Sequence, residues 1–342
     1  MKIALDAVGG DHGLAPNIEG ALQAANAFGS EVILVGPERQ LRADLSSRGI
    51  AGDRFEIVDA SQIVGMDEEP AAACRAKPYS SIMVCAELVA QGRAAGFVSA
   101  GNSGATMVAA LWHLKRVPGV LRPAIAVPIP TPKGTTVLLD AGANVDCKPW
   151  HLVQFAQMGS LLARHGYGTA SPTVGVLTIG EEEGKGNDLV KESFALLKAE
   201  VPGFKGCVEG RDVPAGTVDV VVCDGFVGNV VIKTMEGTAK AMMGLLKAEL
   251  MESWRHRLPA LLLRGPFNRL KRKMSYDEYG GAPLVGVKGS VIVCHGSSNA
   301  KAISNALRMC RHAAEAALDE KIAGVVERPG RPAPVEEPLP KP

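Results

Sequence analysis

Six short apolar runs in this chain each end in glycine beside Asp, Asn, Ser, Lys or His. The segments are Asp6-Ala-Val-Gly-Gly-Asp-His12, Ser99-Ala-Gly-Asn-Ser-Gly104, Asp140-Ala-Gly-Ala-Asn144, Gly180-Glu-Glu-Glu-Gly-Lys-Gly-Asn187, Asp224-Gly-Phe-Val-Gly-Asn229 and His295-Gly-Ser-Ser298. Such a segment turns a strand into a helix, where backbone N–H groups and small hydroxyls can meet an anion. One alone is ordinary turn and cap chemistry. Six read as a polar rim, placed where open α/β sheets bind ligands, beyond the carboxyl ends of the strands. Neither GxxxxGK[ST] nor GxGxxG with an acid about 20 residues on is present, which lowers ATP hydrolysis and dinucleotide binding and leaves an anion such as phosphate.

The elements that must position this rim follow from the pattern. Apolar runs at 3–6, 32–35, 55–58, 96–99, 136–140, 174–178, 220–223 and 291–294 alternate with longer helical stretches. That alternation predicts βαβ units and a largely parallel sheet with helices on both faces. Ser80 is placed to cap a helix over 82–89, and Asn187 one over 188–200. Pro128, Pro130 and Pro132 predict an edge segment or a crossover between two halves of one body. Residues 1–326 read as a single domain and 327–342, with six prolines and no apolar period, as a disordered tail.

Composition narrows the class. The chain has 342 residues, 46% hydrophobic and 21% charged, with a net charge of +1, so nothing in its overall charge predicts nucleic-acid binding. Seven scattered cysteines without a CxxC pair predict buried thiols in a reducing compartment. No apolar stretch is long enough for a membrane span and no leader is apparent, so a cytoplasmic protein is expected.

Seven ordered motifs resemble the PlsX family of phosphate acyltransferases, over about residues 2–319. They are Asp6-Ala-Val-Gly-Gly-Asp11; Met66-Asp-Glu-Glu-Pro70 with Arg75, Lys77, Ser80 and Ser81; Ser99 to Gly104; Leu138-Leu-Asp-Ala-Gly-Ala-Asn144; Gly180 to Asn187; Asp224 to Asn229; and Tyr279-Gly-Gly-Ala-Pro283 through Ser298. Val8 stands where the family commonly has Met, and Ser103 where Thr is common. The resemblance implies a three-layer α/β/α sandwich of isocitrate-dehydrogenase and phosphotransacetylase type, and a homodimer. It further implies conversion of long-chain acyl-acyl carrier protein and inorganic phosphate to acyl-phosphate for phospholipid synthesis, with a membrane glycerol-3-phosphate acyltransferase as partner. No cofactor is expected.

That chemistry needs an anion pocket, donors for the oxyanion on the thioester carbonyl and a route for the acyl chain; phosphate itself is the nucleophile. Positioning it against the thioester can supply about 7 kcal/mol or more. The phosphate pocket is assigned to Ser99, Gly101, Asn102 and Ser103, with Ser297 and Ser298 as a second candidate turn. Lys185, in a glycine-flanked loop, is the candidate cation for the developing charge. Asn229 is a candidate oxyanion donor or a turn residue before a helix. His295 is a candidate proton shuttle or a structural histidine at a strand end. Asp6, Asp11, Asp140, Asn144 and Asp224 read as substrate or loop support, with no metal. Cys223 and Cys294 lie in apolar runs and point to direct transfer rather than an acyl-enzyme.

Residues 253–276 carry seven Lys or Arg and no acid, among apolar side chains. Trp254, Leu258, Leu261, Leu262, Arg264, Arg269, Lys271 and Arg272 are its candidate contacts with an anionic membrane surface or an acidic carrier protein. A dimer-interface helix pair is the alternative. Rival functions are a short-chain phosphotransacetylase using acetyl-CoA, an NAD-dependent decarboxylating dehydrogenase, disfavoured because its arginine clamp is absent, and a non-catalytic lipid or carrier-protein binding module.

Overall fold

The computed structural model describes residues 1–252, 265–267, 269 and 276–326. The expectations placed on the 253–276 arm and the 327–342 tail therefore fall almost wholly outside the described residues.

Among the described residues one sheet of eleven strands organises the molecule. In chain order they are β1 (Lys2–Asp6), β2 (Glu31–Gly36), β3 (Glu56–Asp59), β4 (Gly96–Ser99), β5 (Ala124–Thr131), β6 (Gly134–Leu139), β7 (Val174–Leu177), β8 (Phe204–Val208), β9 (Val220–Val222), β10 (Ala282–Val285) and β11 (Ser290–Val293). Their spatial order is β3-β2-β1-β4-β11-β10-β5-β6-β9-β7-β8. Strands β3 to β11 on one side and β6 to β8 on the other pair in parallel within each half. Parallel strands covered on both faces have no solvent side, which is why their sequences are continuous apolar runs rather than alternating ones.

Between the halves lie three antiparallel pairings, β11 with β10, β10 with β5, and β5 with β6. Three reversals leave β6 and its neighbours running opposite to β11. The glycine-rich ends of β1, β4 and β11 thus leave one end of the sheet, and those of β6, β9 and β7 the other. The single rim expected from sequence is two rims, and they approach each other only at the short central strands. The prolines fit this centre. Pro128 and Pro130 lie in β5, opposite Val137 and Thr135 of β6, at alternate positions where no N–H is required. Strand β10 reaches only Ala124 and Ile125 of β5, so the proline-bearing part of β5 is an edge inside a sheet.

One face of the sheet carries α3 (Pro70–Ala76), α4 (Ser81–Ala90) and α5 (Ser103–His113) over the first half, with α8 (Asp212–Ala215) and α9 (Gly225–Glu252) over the second. The other face carries α1 (Leu14–Phe28), α2 (Glu38–Ser47) and α10 (Ala300–Glu315) over the first half. There α6 (Pro149–Tyr167), α7 (Asp188–Glu200) and α11 (Leu318–Val326) cover the second. This is the expected three-layer arrangement. Helix α7 begins where sequence placed it, with Asn187 Oδ1 accepting from Val190 N at 3.0 Å.

A candidate active site in the central cleft

Where α5 and α9 face each other across the exposed part of β5, a cleft of about 330 Å³ opens. Its floor is apolar, from Ile125, Val127 and Pro128 of β5 to Ala282 of β10 and Val293 of β11. Polar groups reach it from both rims: Ser103 after β4, His295 after β11, Gly142 after β6 and Asn229 on α9. An apolar trough with a few convergent polar groups at the switch point of an α/β sheet is the usual form of a small-molecule site.

The Ser103 side is built by buried polar bracing. Asn102 is 8% exposed, and its Oδ1 accepts from Ala105 N at 3.0 Å, capping α5. Its Nδ2 donates to the carbonyls of Gly65, Met66 and Glu68 at 3.3, 3.1 and 3.0 Å, fastening the 65–69 loop to the helix start. Glu68 holds the same loop through Gly65 N and Lys77 Nζ, both at 2.6 Å from Oε2. Ser99 Oγ donates to Asp6 Oδ2 at 2.7 Å and accepts from Gly101 N at 3.0 Å. Of the four residues assigned to the phosphate pocket, three therefore have other work. Ser99 is fully buried against Asp6, the Gly101 amide is spent on Ser99, and the Asn102 side chain ties a loop. Ser103 alone lines the cleft, and helix geometry leaves the N–H groups of Ser103 and Gly104 without intrahelical acceptors. Gly104 permits the approach: a Cβ there would collide with Pro70 of α3.

On the opposite wall Asp140 is fully buried and accepts from Ile125 N at 2.9 Å, Asn144 N at 2.7 Å, Asn144 Nδ2 at 2.9 Å and Ala143 N at 3.1 Å. Asn144 in turn takes Gly225 N on its carbonyl at 2.7 Å, and Asp224 Oδ1 caps α9 through Val227 N at 2.8 Å. Burial pushes the carboxyls of both Asp6 and Asp140 above 3.8, against these hydrogen bonds, which favour the charged form. Asp6, Asp140, Asn144 and Asp224 thus brace the loops. Asp11 joins the β1 and β11 loops, its N–H reaching Gly296 O at 2.8 Å.

Asn229 lies one turn inside α9, so it is not the turn residue that sequence allowed as its alternative. It packs against Gly142, whose φ of 135° brings the β6 turn alongside. Helix α9 comes this close because Gly228 has no side chain; a Cβ there would overlap Asp140 O. His295 is exposed at the end of β11, and its Nδ1 accepts from Ser297 N at 3.2 Å and meets Ser297 Oγ at 2.8 Å. Ser297 is thus a partner of His295 and Ser298 is buried at 2% exposure, and neither lines the cleft. Lys185 does not line the cleft. It sits in the loop after β7, between Gly184 and Gly186 at φ of 96° and 112°, with its carbonyl accepting from Thr178 Oγ1 at 3.0 Å. The charged pair that does line the cleft, Lys233 and Glu236, was missed from sequence. The signal was present: 229, 232, 233 and 236 recur at helical spacing on one face. Cys223 and Cys294 are buried, and burial pushes both thiols up, so neither is a ready nucleophile.

A family profile described as "Fatty acid synthesis protein" matches residues 1–321. A phosphate acyltransferase of Trichlorobacter lovleyi is 48% identical over 94% of each chain, and one of Elusimicrobium minutum 52% identical over 91% of this chain and 92% of that one. The chain belongs to the phosphate acyltransferase family. The family reached from the sequence motifs is the same, and the chain is an acyltransferase. Solved structures extend the likeness of fold: a phosphotransacetylase from Streptococcus pyogenes (TM-score 0.60, 17% identity, 92% of this chain and 94% of that one) and a branched-chain phosphotransacylase from Enterococcus faecalis V583 (0.57, 15%, 92% and 99%). Among the described residues no helix is long and apolar enough to cross a membrane.

Proposed function

We propose that the central cleft transfers the acyl group of a long-chain acyl-acyl carrier protein to inorganic phosphate, giving acyl-phosphate for phospholipid synthesis. The observation that carries this is the joining of an open helix start at Ser103, an amide at Asn229, an imidazole at His295 and an apolar floor in one cleft. Phosphate sits at the N-terminus of α5, where the Ser103 hydroxyl and the amides of Ser103 and Gly104 suit an anion. The acyl chain lies along Ile125, Val127 and Val293. A phosphate oxygen attacks the thioester carbon, the oxyanion takes the Asn229 amide, and the carbon–sulfur bond breaks. The attacking hydrogen phosphate gives up one proton to solvent and the leaving thiolate takes one up. With Ser297 N–H on Nδ1, the neutral His295 imidazole keeps its proton on Nε2, from which it can donate a hydrogen bond to the departing sulfur. The loop lysine Lys185 has no step in this sequence of events.

The wider reading is that a homodimer works at the inner face of the membrane, its 253–276 arm meeting anionic lipid or carrier protein and its product passing to a membrane glycerol-3-phosphate acyltransferase. The test of function is phosphate-dependent loss of palmitoyl-acyl carrier protein with acyl-phosphate read directly. Turnover of acetyl-CoA in preference would move the protein to the short-chain phosphotransacetylases, and absence of any phosphate-dependent loss would remove the reading.

A further inference from the structure

The cleft must hold a phosphoanion, yet most of its lining is uncharged. Lys233 is the one Lys or Arg among the described residues that line it. Its Nζ lies 3.4 Å from Glu236 Oε2, one turn further along α9, with the two side chains 54% and 33% exposed. Residues 229, 232, 233 and 236 share one helix face. The amide of Asn229, the ammonium of Lys233 and the carboxylate of Glu236 therefore all face the trough, in line from the Gly142 turn outward. An i,i+3 pair this exposed adds almost nothing to stability, so packing gives no reason to turn it onto an apolar floor. A contact of this length is also easily exchanged for a better-placed acceptor, because an ammonium bonds carboxylate and phosphate oxygens alike and does so best well inside 3.4 Å.

We propose that Lys233 is the phosphoanion-binding cation of the cleft, held on Glu236 until ligand arrives. The inference rests on the acyl-transfer reading for its ligand. Two sources supply the anion: inorganic phosphate, and the phosphodiester of a carrier-bound pantetheine thioester. In either case Glu236 competes with the ligand for the ammonium, so its neutralisation strengthens binding while loss of Lys233 weakens it. The opposite signs separate this arrangement from mere loss of helix stability, which would act in the same direction in both variants.

The experiment uses the full chain as wild type, Lys233→Met and Glu236→Gln. Phosphate is titrated calorimetrically in the absence of acyl donor, and the KM for phosphate and for palmitoyl-acyl carrier protein are measured separately. Losing a charge-assisted hydrogen bond predicts a rise of roughly 10- to 150-fold in one KM for Lys233→Met, and Glu236→Gln lowers the same KM. A change confined to phosphate, repeated in the calorimetric Kd, identifies the inorganic anion; a change confined to the carrier thioester identifies the phosphodiester. Both KM values within about twofold of wild type in both variants overturn the proposal. If the wild type makes no acyl-phosphate, the functional reading fails on its own, and the calorimetric titration still decides whether Lys233 and Glu236 govern phosphate binding.

Discussion

Replacing Asn102 separates two jobs that one side chain performs. Its Oδ1 caps α5 and its Nδ2 holds three carbonyls of the 65–69 loop. Asp is as good a cap as Asn, and the carboxylate is favoured at a helix start. If capping were the whole role, Asn102→Asp would be neutral. The structure predicts otherwise, because Asp turns a donor into an oxygen facing three carbonyl oxygens at a site only 8% exposed. Loss of the cap in Asn102→Ala costs about 1 kcal/mol, and the buried acceptors left without a donor add about 1–3 kcal/mol. Asn102→Asp keeps the cap yet adds a buried, unpaired charge, for a total of about 3–5 kcal/mol. With about 2–4 °C lost per kcal/mol in domains somewhat smaller than this one, the melting temperature of Asn102→Asp falls by roughly 6–20 °C and lies below that of Asn102→Ala. Calorimetry and urea unfolding of the three proteins measure this. Asn102→Asp as stable as wild type would refute the loop-tying role, and with it the account of how Ser103 is aimed into the cleft.

Gly228→Ala drives a methyl into Asp140 O and should cost more than 3 kcal/mol or prevent soluble expression, whereas Gly237→Ala, with open space around it, should leave the melting temperature unchanged or raised. Ser297→Ala removes the hydroxyl on His295 Nδ1 while leaving the backbone N–H, so kcat should fall severalfold and its pH profile shift with little change in phosphate KM; a changed KM with an unshifted profile would return Ser297 to anion binding. Asp6 is raised above 3.8 by burial, so the folded protein holds its proton to higher pH than the unfolded chain does. Its contribution to stability therefore declines as pH rises from 3.8 through the raised value. The difference in unfolding free energy between Asp6→Asn and wild type should move in favour of Asn across that window, and a difference independent of pH would show that Asp6 ionises freely.

The fold was legible wherever one element dictated its own pattern. Buried parallel strands such as β1, β4 and β9 are bare apolar runs, and Asn187 announced α7. Strands β8 and β10 were missed because a central glycine in one and a proline in the other break the apolar run; β10 and the proline-bearing β5, expected only as an edge segment or crossover, are what reverses the direction between the two halves. Sequence therefore gathered six strand ends into one rim that the sheet divides in two. Three of the polar residues that meet in the cleft, Ser103, Asn229 and His295, were named from sequence. The Lys233–Glu236 pair was not, because inside a long helix a Lys and a Glu at close spacing pass for solvated surface. Lys185 was chosen because its loop is glycine-flanked, a local property that says nothing about the strand order; β7 lies beyond β9, two strands from β6, so its loop leaves the same end of the sheet as the β6 turn but away from the cleft.

The claim on which the rest depends is that phosphate and acyl chain meet between α5 and α9. A crystal soaked with phosphate and a non-reactive thioether analogue of palmitoyl carrier protein tests it directly. The account predicts the anion at the Ser103 and Gly104 amides and the alkyl chain along Ile125 and Val127. An empty cleft, with the anion at the Lys185 loop or outside the sheet's centre, would contradict it.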